Sequence, residues 1–355
     1  MKRVKKVLSL LLVLCMLLGL TGNVYAAGKT GTSGDSDFYK IVHVDAGRKY
    51  FSPENIKKII DNAAAAGFNQ VELYLSDNQG FRFALDDMNV TTSTGNTYDL
   101  TPALGDGYSD GSKYPDGSGK YLTQSEMTDI ISYAADKGIA IVPCINVPGH
   151  MGAILEEFTQ FKYSGSNSSI DLENAEAVAF ALAITEKYAT YFESQGVQYY
   201  NLGADEYAND LSTMGFQGLY TSGKYQKFVD FLNSAAQIVV NHNMTPRAFN
   251  DGIYYNEDNT YSINSAIQVC YWSCGWSGYN LASAQYIVNQ GMDVINTHGD
   301  YYWVLGNTSW QCSADKASQF DYTSFQYRTG TTGNVTISIP AGAMFCIWCD
   351  VGNAN

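Results

Sequence analysis

Short apolar runs recur along this chain, and segments with helical character separate most of them. The runs occupy residues 38–47, 68–77, 139–147, 197–206, 245–251, 266–273, 292–298 and 342–350. Unbroken apolar runs are typical of parallel strands whose two sheet faces are both covered. Strands that alternate with helices form right-handed βαβ units, so eight such strands predict an α/β fold, a closed (β/α)8 TIM barrel.

The segments between the apolar runs carry helix start and stop signals. The sequence SPE at 52–54 supplies an N-cap, a first-turn proline and an acid near the positive end of the helix dipole, and Gly67 supplies a stop. Thr123 and Glu126 have the spacing of a capping box. Further helices are predicted within 175–195, 223–242 and 281–290.

Two polar loops follow predicted strands, at 91–120 after the second strand and at 161–171 after the third. Both leave the carboxyl ends of strands, the face on which barrel enzymes build their sites. We expect the tyrosines of the longer loop to order it partly against a cleft there. Only five residues follow position 350, so an eighth helix is missing, and either another segment covers that side or the sequence is a truncated gene product.

The first 26 residues have the features of a secretory signal peptide. Basic residues at 2, 3, 5 and 6 precede an apolar run at 7–20, and a small-residue cleavage site follows at 24–26. We therefore predict a signal peptide at 1–26, a polar leader at 27–37 and one barrel domain at 38–355. An N-terminal membrane anchor is the alternative interpretation. We expect an exported protein, secreted or held at the cell surface, with no stable membrane span after signal removal.

The net charge of the chain limits the classes of molecule that it can bind. The whole chain has 35 acidic and 21 basic residues, and removal of the signal peptide takes away four basic residues and no acid, which leaves 17 basic residues. This excess of acid argues against nucleic acid and anionic membranes as partners. A neutral partner such as a sugar is compatible with it, and so is the content of 27 tyrosines and 16 phenylalanines.

Six cysteines remain after the signal peptide, at positions 144, 270, 274, 312, 346 and 349. Four of them lie in apolar strand-like runs, where cysteine behaves as a small buried hydrophobe, so free thiols are favoured over disulfides. Cys346 and Cys349 are three apart on a predicted strand and point to opposite faces, which does not suit one metal ion. The sequence predicts no metal site and no cofactor.

The candidate chemistry begins with two neighbouring acids, Asp205 and Glu206, at the end of the fourth predicted strand. Side chains alternate between the two faces of a regular strand, so both acids can serve one site only where the pleat breaks. Other polar and aromatic residues stand at the same ends of neighbouring strands: Arg48, Asn146, His150, Asn250, Asp251, Trp272, Tyr301, Tyr302, Trp348 and Asp350. Acids and amides beside aromatic walls predict a pocket for a sugar ring, which has apolar C–H faces and polar hydroxyls.

Six stretches give the chain a more specific resemblance. They are VDAGRKYFSPENIKKIID, SDNQGFRFALDDM, INVPGHM, NLGADEY, FNDGIYY and IWCD, spread over 44–350. In them the chain resembles the family 20 glycoside hydrolases, the β-N-acetylhexosaminidases. It is most similar to the branch that contains surface hexosaminidases and lacto-N-biosidases of Gram-positive bacteria.

The resemblance implies an exported retaining exo-glycosidase that removes terminal β-linked N-acetylhexosamine from oligosaccharides or glycoconjugates, with 38–355 as its catalytic domain. Members of the family use substrate-assisted catalysis, in which the 2-acetamido oxygen attacks the anomeric carbon of the same sugar and forms an oxazolinium ion. The resemblance assigns Glu206 as the general acid and later the general base. It assigns Asp205 as the carboxylate that orients the acetamido N–H.

The resemblance also implies roles for the residues around the acids. Arg48 and Asp350 are assigned to bind sugar hydroxyls, and Trp272 and Trp348 to form walls of the pocket. Tyr302 is assigned to bind the acetamido oxygen, with Tyr301 or Trp303 as alternatives. His150 and Asn146 are assigned to the neighbourhood of the acid. Cys144 stands where the family often has glutamate, and Asn146 replaces an aspartate that helps to tune the histidine. Asn250 and Asp251 replace a region that usually contains tryptophan, so their role is open.

Two further functions stay open beside the exo-glycosidase. A lacto-N-biosidase releases a disaccharide and needs a pocket that is open beyond the terminal sugar. A non-catalytic glycan-binding protein needs no proton donor, so the presence of both Asp205 and Glu206 favours an enzyme.

Overall fold

Residues 38–109, 114–211, 215–276, 279–307, 309–329 and 331–354 are described in a computed structural model. The predicted signal peptide at 1–26 and the leader at 27–37 lie outside the described residues. None of the helices in the described ranges is both long enough and apolar enough to cross a bilayer.

Eight parallel strands form a closed barrel, as the apolar runs predict. They are β1 (Tyr39–Asp45), β2 (Gln70–Tyr74), β3 (Ala140–Cys144), β4 (Tyr199–Asn201), β5 (Thr245–Phe249), β6 (Gln268–Tyr271), β7 (Val294–Asn296) and β8 (Gly342–Trp348). Each strand pairs with the next one, and β8 pairs in parallel with β1, from Tyr39 opposite Gly342 to Val44 opposite Ile347. The last pairing closes the cylinder, and the predicted TIM barrel is confirmed.

Helices connect most of the strands. They are α1 (Pro53–Ala65), α2 (Gln124–Asp136), α3 (Gly152–Glu157), α4 (Ala175–Ser194), α5 (Gly215–Thr221), α6 (Tyr225–Asn241), α7 (Ala284–Asn289) and α8 (Ala314–Ala317). The Ser52 side chain caps α1 by accepting a hydrogen bond from Asn55 N. Thr123 and Glu126 form the predicted capping box of α2, with bonds of 3.3 and 2.8 Å. The short helices α3, α5 and α8 lie outside the sequence prediction.

Two connections and the segment after β8 depart from a regular alternation of strands and helices. The β5–β6 connection contains two 3-10 turns, Asn250–Gly252 and Tyr255–Glu257, in place of an α-helix. Between β7 and β8, α8 is followed by an antiparallel hairpin of Ser324–Thr329 and Thr331–Thr336. Phe325 of this hairpin packs edge-on against Tyr271 of β6, so the hairpin covers part of the barrel wall. Residues 349–354 after β8 form turns and a bridge, with no helix.

Apolar side chains fill two layers, one between the strands and the helices and one inside the barrel. The six cysteines of the described residues are buried, and no disulfide joins them. The barrel interior also contains a fully buried polar pair, in which His43 Nδ1 lies 3.1 Å from Glu72 Oε1.

Where it is described, the long loop after β2 is folded mainly against helices. Tyr98 contacts the rings of Phe158, Phe161 and Phe180, and the last of these lies on α4. Tyr114 forms a bridge with Val351, next to the cavity residue Asp350. Among the described tyrosines of the loop, Tyr98 therefore packs away from the cleft, whereas Tyr114 lies close to it.

Candidate active site

The carboxyl ends of the barrel strands surround a cavity of about 200 Å3. Of the residues predicted from the sequence, those that line it are Arg48, His150, Asp205, Glu206, Trp272, Tyr302, Trp348 and Asp350. Phe249, Val304 and Trp310 complete the lining. The barrel therefore brings together residues from both ends of the chain on the face where such enzymes place their sites.

A break in the backbone after β4 turns both acids toward this cavity. Gly203, Ala204 and Glu206 have φ angles of 69°, 60° and 47°, which lie in the left-handed region. Residues other than glycine rarely adopt this conformation, and strain of this kind concentrates at functional sites. Two adjacent acids can face one cavity only where the alternation of a regular strand is interrupted, and Asp205 and Glu206 both line this cavity.

Asn146 lies beneath this loop, close to the acids as the resemblance implies, and does not line the cavity. Its side chain is fully buried, and its Nδ2 donates to Ser76 O at 2.6 Å. A Cβ atom at position 203 would lie 1.6 Å from Asn146 Oδ1, so only Gly203 fits there. Asn146 therefore supports the loop that carries the acids.

His150 lies between three carboxylates. Its Nδ1 is 3.1 Å from Asp77 Oδ2, and its Nε2 is 3.3 Å from Glu206 Oε2 and 3.6 Å from Asp205 Oδ2. Burial disfavours the imidazolium, but the nearby carboxylates outweigh burial and raise the pKa of His150 well above its ordinary value. The carboxylates therefore favour the protonated form of the His150 imidazole.

Asp77 joins His150 to Arg48. Arg48 Nη2 lies 3.1 Å from Asp77 Oδ2, and Nη1 lies 2.9 Å from Asp45 Oδ2 and 3.8 Å from Asp350 Oδ1. Burial opposes the charge on Asp77, but the cations of Arg48 and His150 hold the pKa of Asp77 below its usual range. Asp350 is the most accessible of these acids, because 34% of its side chain is exposed at the cavity.

Aromatic rings form the walls. Trp272 and Tyr302 stack with their centroids 6.5 Å apart and their planes at 15°. Trp348 packs on the His43 ring with centroids 4.3 Å apart, and the Arg48 guanidinium lies 5.3 Å from the centroid of the indole ring. These contacts fix apolar faces next to charged groups, an arrangement that suits a sugar ring.

Asn250 and Asp251 hold Trp272 in place. Asp251 Oδ2 accepts a hydrogen bond from Trp272 Nε1 at 2.5 Å, and Asn250 Oδ1 accepts one from Trp272 N at 2.9 Å. Both side chains are fully buried. Burial, together with the charges of Asp205 and Glu206, raises the pKa of Asp251 well above its ordinary value. The role that the sequence left open is therefore support of an aromatic wall.

Several buried polar atoms in or beside the cavity have no nitrogen or oxygen partner among the described residues: Asp205 Oδ1, Asp251 Oδ1, Tyr302 OH and Trp348 Nε1. The thiol of Cys346 is next to the Tyr302 hydroxyl but is only a weak partner. Burial raises the pKa of Asp205, and His150 opposes this shift while Glu206 adds to it. A buried polar group without a partner costs roughly 1–3 kcal/mol, so a ligand that pairs with these atoms gains affinity.

Asp45 and Asp77 are the residues of this site that the sequence prediction missed. Each fixes Arg48, and Asp77 also contacts His150. Asp45 ends β1, and Asp77 follows β2 by three residues, so the rule that polar residues at carboxyl strand ends build the site would have found both.

The described residues contain no group of three or more His, Cys, Asp or Glu side chains arranged to hold a metal ion. The chemistry that the cavity offers is proton transfer by a pair of carboxyl groups beside a cation. The thiols of Cys144 and Cys270 are near enough to Asp205 to feel its charge but are fully buried, and burial raises the pKa of both well above the ordinary value, which disfavours the nucleophilic thiolate.

Residues 38–349 match the sequence profile of glycosyl hydrolase family 20, catalytic domain. A lacto-N-biosidase of Bifidobacterium bifidum is 25% identical over 245 residues, which cover 65% of this chain and 21% of that protein. A β-hexosaminidase of Vibrio vulnificus is 22% identical over 316 residues, which cover 75% of this chain and 36% of that protein. The aligned part of this chain thus spans from about a fifth to about a third of the length of these relatives.

A solved structure of the pneumococcal virulence factor StrH, from work on N-glycan recognition and hydrolysis, is 33% identical with a TM-score of 0.79. The match covers 90% of this chain and 79% of that one. Dispersin B, at 20% identity and a TM-score of 0.65, shares the fold. The family profile extends over most of the chain and includes the cavity residues up to Trp348. This chain therefore belongs to glycosyl hydrolase family 20.

Proposed function

We propose that this chain hydrolyses terminal β-linked N-acetylhexosamine from glycans with retention of the anomeric configuration. The observation that carries the proposal is that Asp205 and Glu206 are adjacent in sequence, yet both line one cavity beside His150. Family membership supports the hydrolysis of a glycosidic bond. A second StrH structure, 34% identical and described as part of an exo-β-D-N-acetylglucosaminidase, supports N-acetylglucosamine as the sugar.

The nucleophile in this proposal is the 2-acetamido oxygen of the substrate. It attacks the anomeric carbon, the leaving group departs, and water later opens the oxazolinium ion from the same face that the leaving group occupied. Because the nucleophile belongs to the substrate, the reaction has the advantage of an intramolecular process. An acetamide presents one N–H and one carbonyl oxygen. Asp205 Oδ1 can accept from the first and the Tyr302 hydroxyl can donate to the second, and both atoms are buried without a nitrogen or oxygen partner.

Glu206 is the proposed general acid, and it becomes the general base in the second step. Its side chain is 33% exposed, whereas that of Asp205 is 11% exposed. This difference fits the two tasks, because the acid must exchange protons with a leaving group and with water, while the other carboxylate must hold an amide away from water. A positioned acid of this kind contributes about 10² to 10⁴ in rate.

Asp205 has to be ionised to accept the amide N–H and to offset the positive charge of the oxazolinium ion. Burial raises the pKa of Asp205 and opposes ionisation. The His150 cation, 3.6 Å away, stabilises the carboxylate and lowers that pKa again. His150 is therefore the proposed charge-balancing residue of the site.

The remaining cavity residues bind the sugar in this proposal. Arg48 and the more exposed Asp350 bind hydroxyls, and the rings of Trp272 and Trp348 cover the apolar faces. The cavity of about 200 Å3 lies below the roughly 300–1,000 Å3 of sites for drug-sized ligands, which favours one sugar unit over two.

A lacto-N-biosidase is the second candidate, since the Bifidobacterium bifidum relative has that activity in its name. The three arms of one experiment separate the possibilities: release of aryl alcohol from an N-acetylglucosaminide, an N-acetylgalactosaminide and a lacto-N-bioside. Rapid release from one of the first two supports the proposal. Release from the lacto-N-bioside alone makes the chain a biosidase, and release from none leaves the non-catalytic glycan-binding protein.

We also propose that the protein acts outside the cell, at the surface of a Gram-positive bacterium or secreted from it. The proposal is supported by the basic, apolar and small-residue segments of 1–26. Sequencing the amino terminus of the protein recovered from culture medium and from washed cells tests it. A mature chain that begins at position 27 agrees with the proposal, and a chain that stays in the cytoplasm with its first 26 residues contradicts it.

A further inference from the structure

A second cavity lies outside the barrel wall, on the far side of β6 from the catalytic cavity. Its volume is about 290 Å3, compared with about 200 Å3 for the catalytic cavity. The two share no lining residue in the described chain. Strand alternation explains their relation, because Trp272 points into the catalytic cavity while its neighbour Tyr271 points outward into the second one.

The second cavity contains a buried hydroxyl whose proton has no acceptor among the described residues. Tyr271 is 2% exposed, and the backbone N–H of Ala284 approaches its hydroxyl oxygen, but no described group accepts the hydroxyl proton. Cys274, Glu257 and Tyr327, which also line the cavity, are its close neighbours. Since buried polar groups are nearly always paired, an orphaned hydroxyl that faces a cavity indicates a place for a ligand atom.

The rim of this cavity has a strained backbone. Tyr254, Asn256 and Glu257 have φ angles of 50°, 64° and 53°, in the left-handed region that such residues rarely adopt. Tertiary contacts hold them there: Asn256 N donates to Asn280 O at 2.8 Å, and Glu257 Oε1 accepts from Ser283 Oγ at 2.7 Å. Strain that the surroundings enforce is characteristic of ligand clamps.

The chemistry of the lining selects the ligand class. Glu257 and the acidic balance of the chain disfavour an anion. The side chains of Asn256, Glu257 and Asn280 offer hydrogen bonds in both directions, and Tyr271, Tyr279 and Tyr327 supply aromatic surface. A ligand with hydroxyl groups next to an apolar ring face matches this combination of polar and aromatic lining residues.

We infer that the second cavity is a binding site for one neutral pyranose unit, separate from the catalytic cavity. Binding at this site uses only the residues that line the second cavity and does not require hydrolysis in the catalytic cavity. Its occupant is a sugar of the same glycan or of a neighbouring one, held on the outer side of the β6 wall while the catalytic cavity is free to act.

The test measures sugar binding to the full chain while a thiazoline mimic of the oxazolinium ion is present to block the catalytic cavity. Saturation-transfer NMR is recorded with three probes, methyl β-galactoside, methyl α-mannoside and methyl β-N-acetylglucosaminide, at concentrations on the order of millimolar. Tyr271→Phe removes only the orphaned hydroxyl, and Glu257→Gln removes the charge but keeps an acceptor for Ser283. The matched control is Tyr286→Phe, which removes another unpaired hydroxyl that does not line the cavity.

At least one probe is expected to bind, and the double variant Tyr271→Phe/Glu257→Gln should raise its Kd about tenfold, the loss expected for one or two hydrogen bonds. The control should leave the Kd unchanged, and all variants should cleave an aryl N-acetylglucosaminide as the parent chain does. The inference is overturned if no probe binds, if the double variant binds as tightly as the parent, or if tetramethylammonium occupies the site in preference to the sugars. Loss of aryl-sugar hydrolysis in the parent chain would count against the proposed function and leave this result intact.

Discussion

His150 Nε2 lies 3.3 Å from Glu206 Oε2 and 3.6 Å from Asp205 Oδ2, so a single imidazole contacts both neighbouring acids. Its other nitrogen is fixed by Asp77, which is itself held by Arg48. A cation in this position lets one acid stay ionised in a buried cavity while the other keeps a proton, the division of labour that the proposed mechanism needs.

The first prediction concerns the acid limb of the pH–activity profile. Asp205 must be ionised, and burial raises its pKa above the ordinary Asp value of about 3.9. Activity should therefore be present above this raised pKa and be lost as the pH falls through it. His150→Gln removes the cation that lowers the pKa of Asp205, so the acid limb of kcat/KM should move to higher pH.

The control for that experiment is His242→Gln. His242 also lies between two carboxylates, Glu186 and Glu193, at 2.8 and 2.7 Å, but it does not line the catalytic cavity. This variant should keep the parent acid limb. An acid limb that moves equally in both variants, or in neither, would show that His150 does not tune Asp205.

The second prediction concerns the proton donor. Glu206→Gln should lower kcat for an unactivated disaccharide by about 10² to 10⁴, the usual contribution of a general acid. With a dinitrophenyl leaving group, which needs no protonation to depart, the loss in the first step should be much smaller. Glu157→Gln, an exposed change on α3, is the control and should have no effect. Equal losses on both substrates would remove Glu206 from the acid role.

The third prediction concerns the aromatic wall. Asp251→Ala deletes the acceptor of the Trp272 indole N–H and should raise KM about tenfold, because the wall loses one buried hydrogen bond. Asp251→Asn keeps an acceptor at the same place and should recover most of the loss. Steady-state kinetics on an aryl N-acetylglucosaminide measures both. If the asparagine variant is as impaired as the alanine variant, the carboxyl group has a role beyond holding Trp272.

The fourth prediction compares two glycines that both have a left-handed backbone. A Cβ at Gly203 (φ 69°) would lie 1.6 Å from Asn146 Oδ1, whereas a Cβ at Gly196 (φ 73°) would meet nothing within 4 Å. Gly196→Ala should lower the free energy of unfolding by about 1–2 kcal/mol, the cost of holding alanine in the left-handed backbone conformation. Gly203→Ala should cost about 3 kcal/mol or more and should abolish activity.

Urea unfolding of both variants measures the difference. Combining Gly203→Ala with Asn146→Ala removes the clashing oxygen and should recover part of the stability, because contacting residues are coupled. Equal destabilisation by the two single variants would show that Asn146 does not support the acid-bearing loop.

The sequence is sufficient to predict those helices and strands whose formation depends on residues close to each other in the chain. Thr123 and Glu126 are three residues apart, and the capping box they form needs no tertiary contact. The eight strands follow from apolar runs, because most residues of these strands are buried by the barrel interior or by its helices. The hairpin at 324–336 escaped prediction because its apolar positions are few and its burial comes from packing against β6.

The site was predictable where residues stand at or shortly after the carboxyl ends of strands and line the cavity, as Arg48, Asp205 and Trp348 do. Asn146 also follows a strand closely, but its side chain lies under Gly203, a contact between residues 57 positions apart that no local pattern reports. The function of Asp251 is a hydrogen bond to Trp272, and it too appears only when two strand ends are brought together.

The substrate amide is the nucleophile on which the proposed mechanism depends, and a series of aryl glycosides with zero to three fluorine atoms on the acetyl group tests this role directly. Each fluorine withdraws electrons from the carbonyl oxygen, so kcat/KM should fall steeply along the series. A nearly constant kcat/KM, together with a glycosyl ester on a carboxyl group of the chain detected by mass spectrometry, would contradict the account.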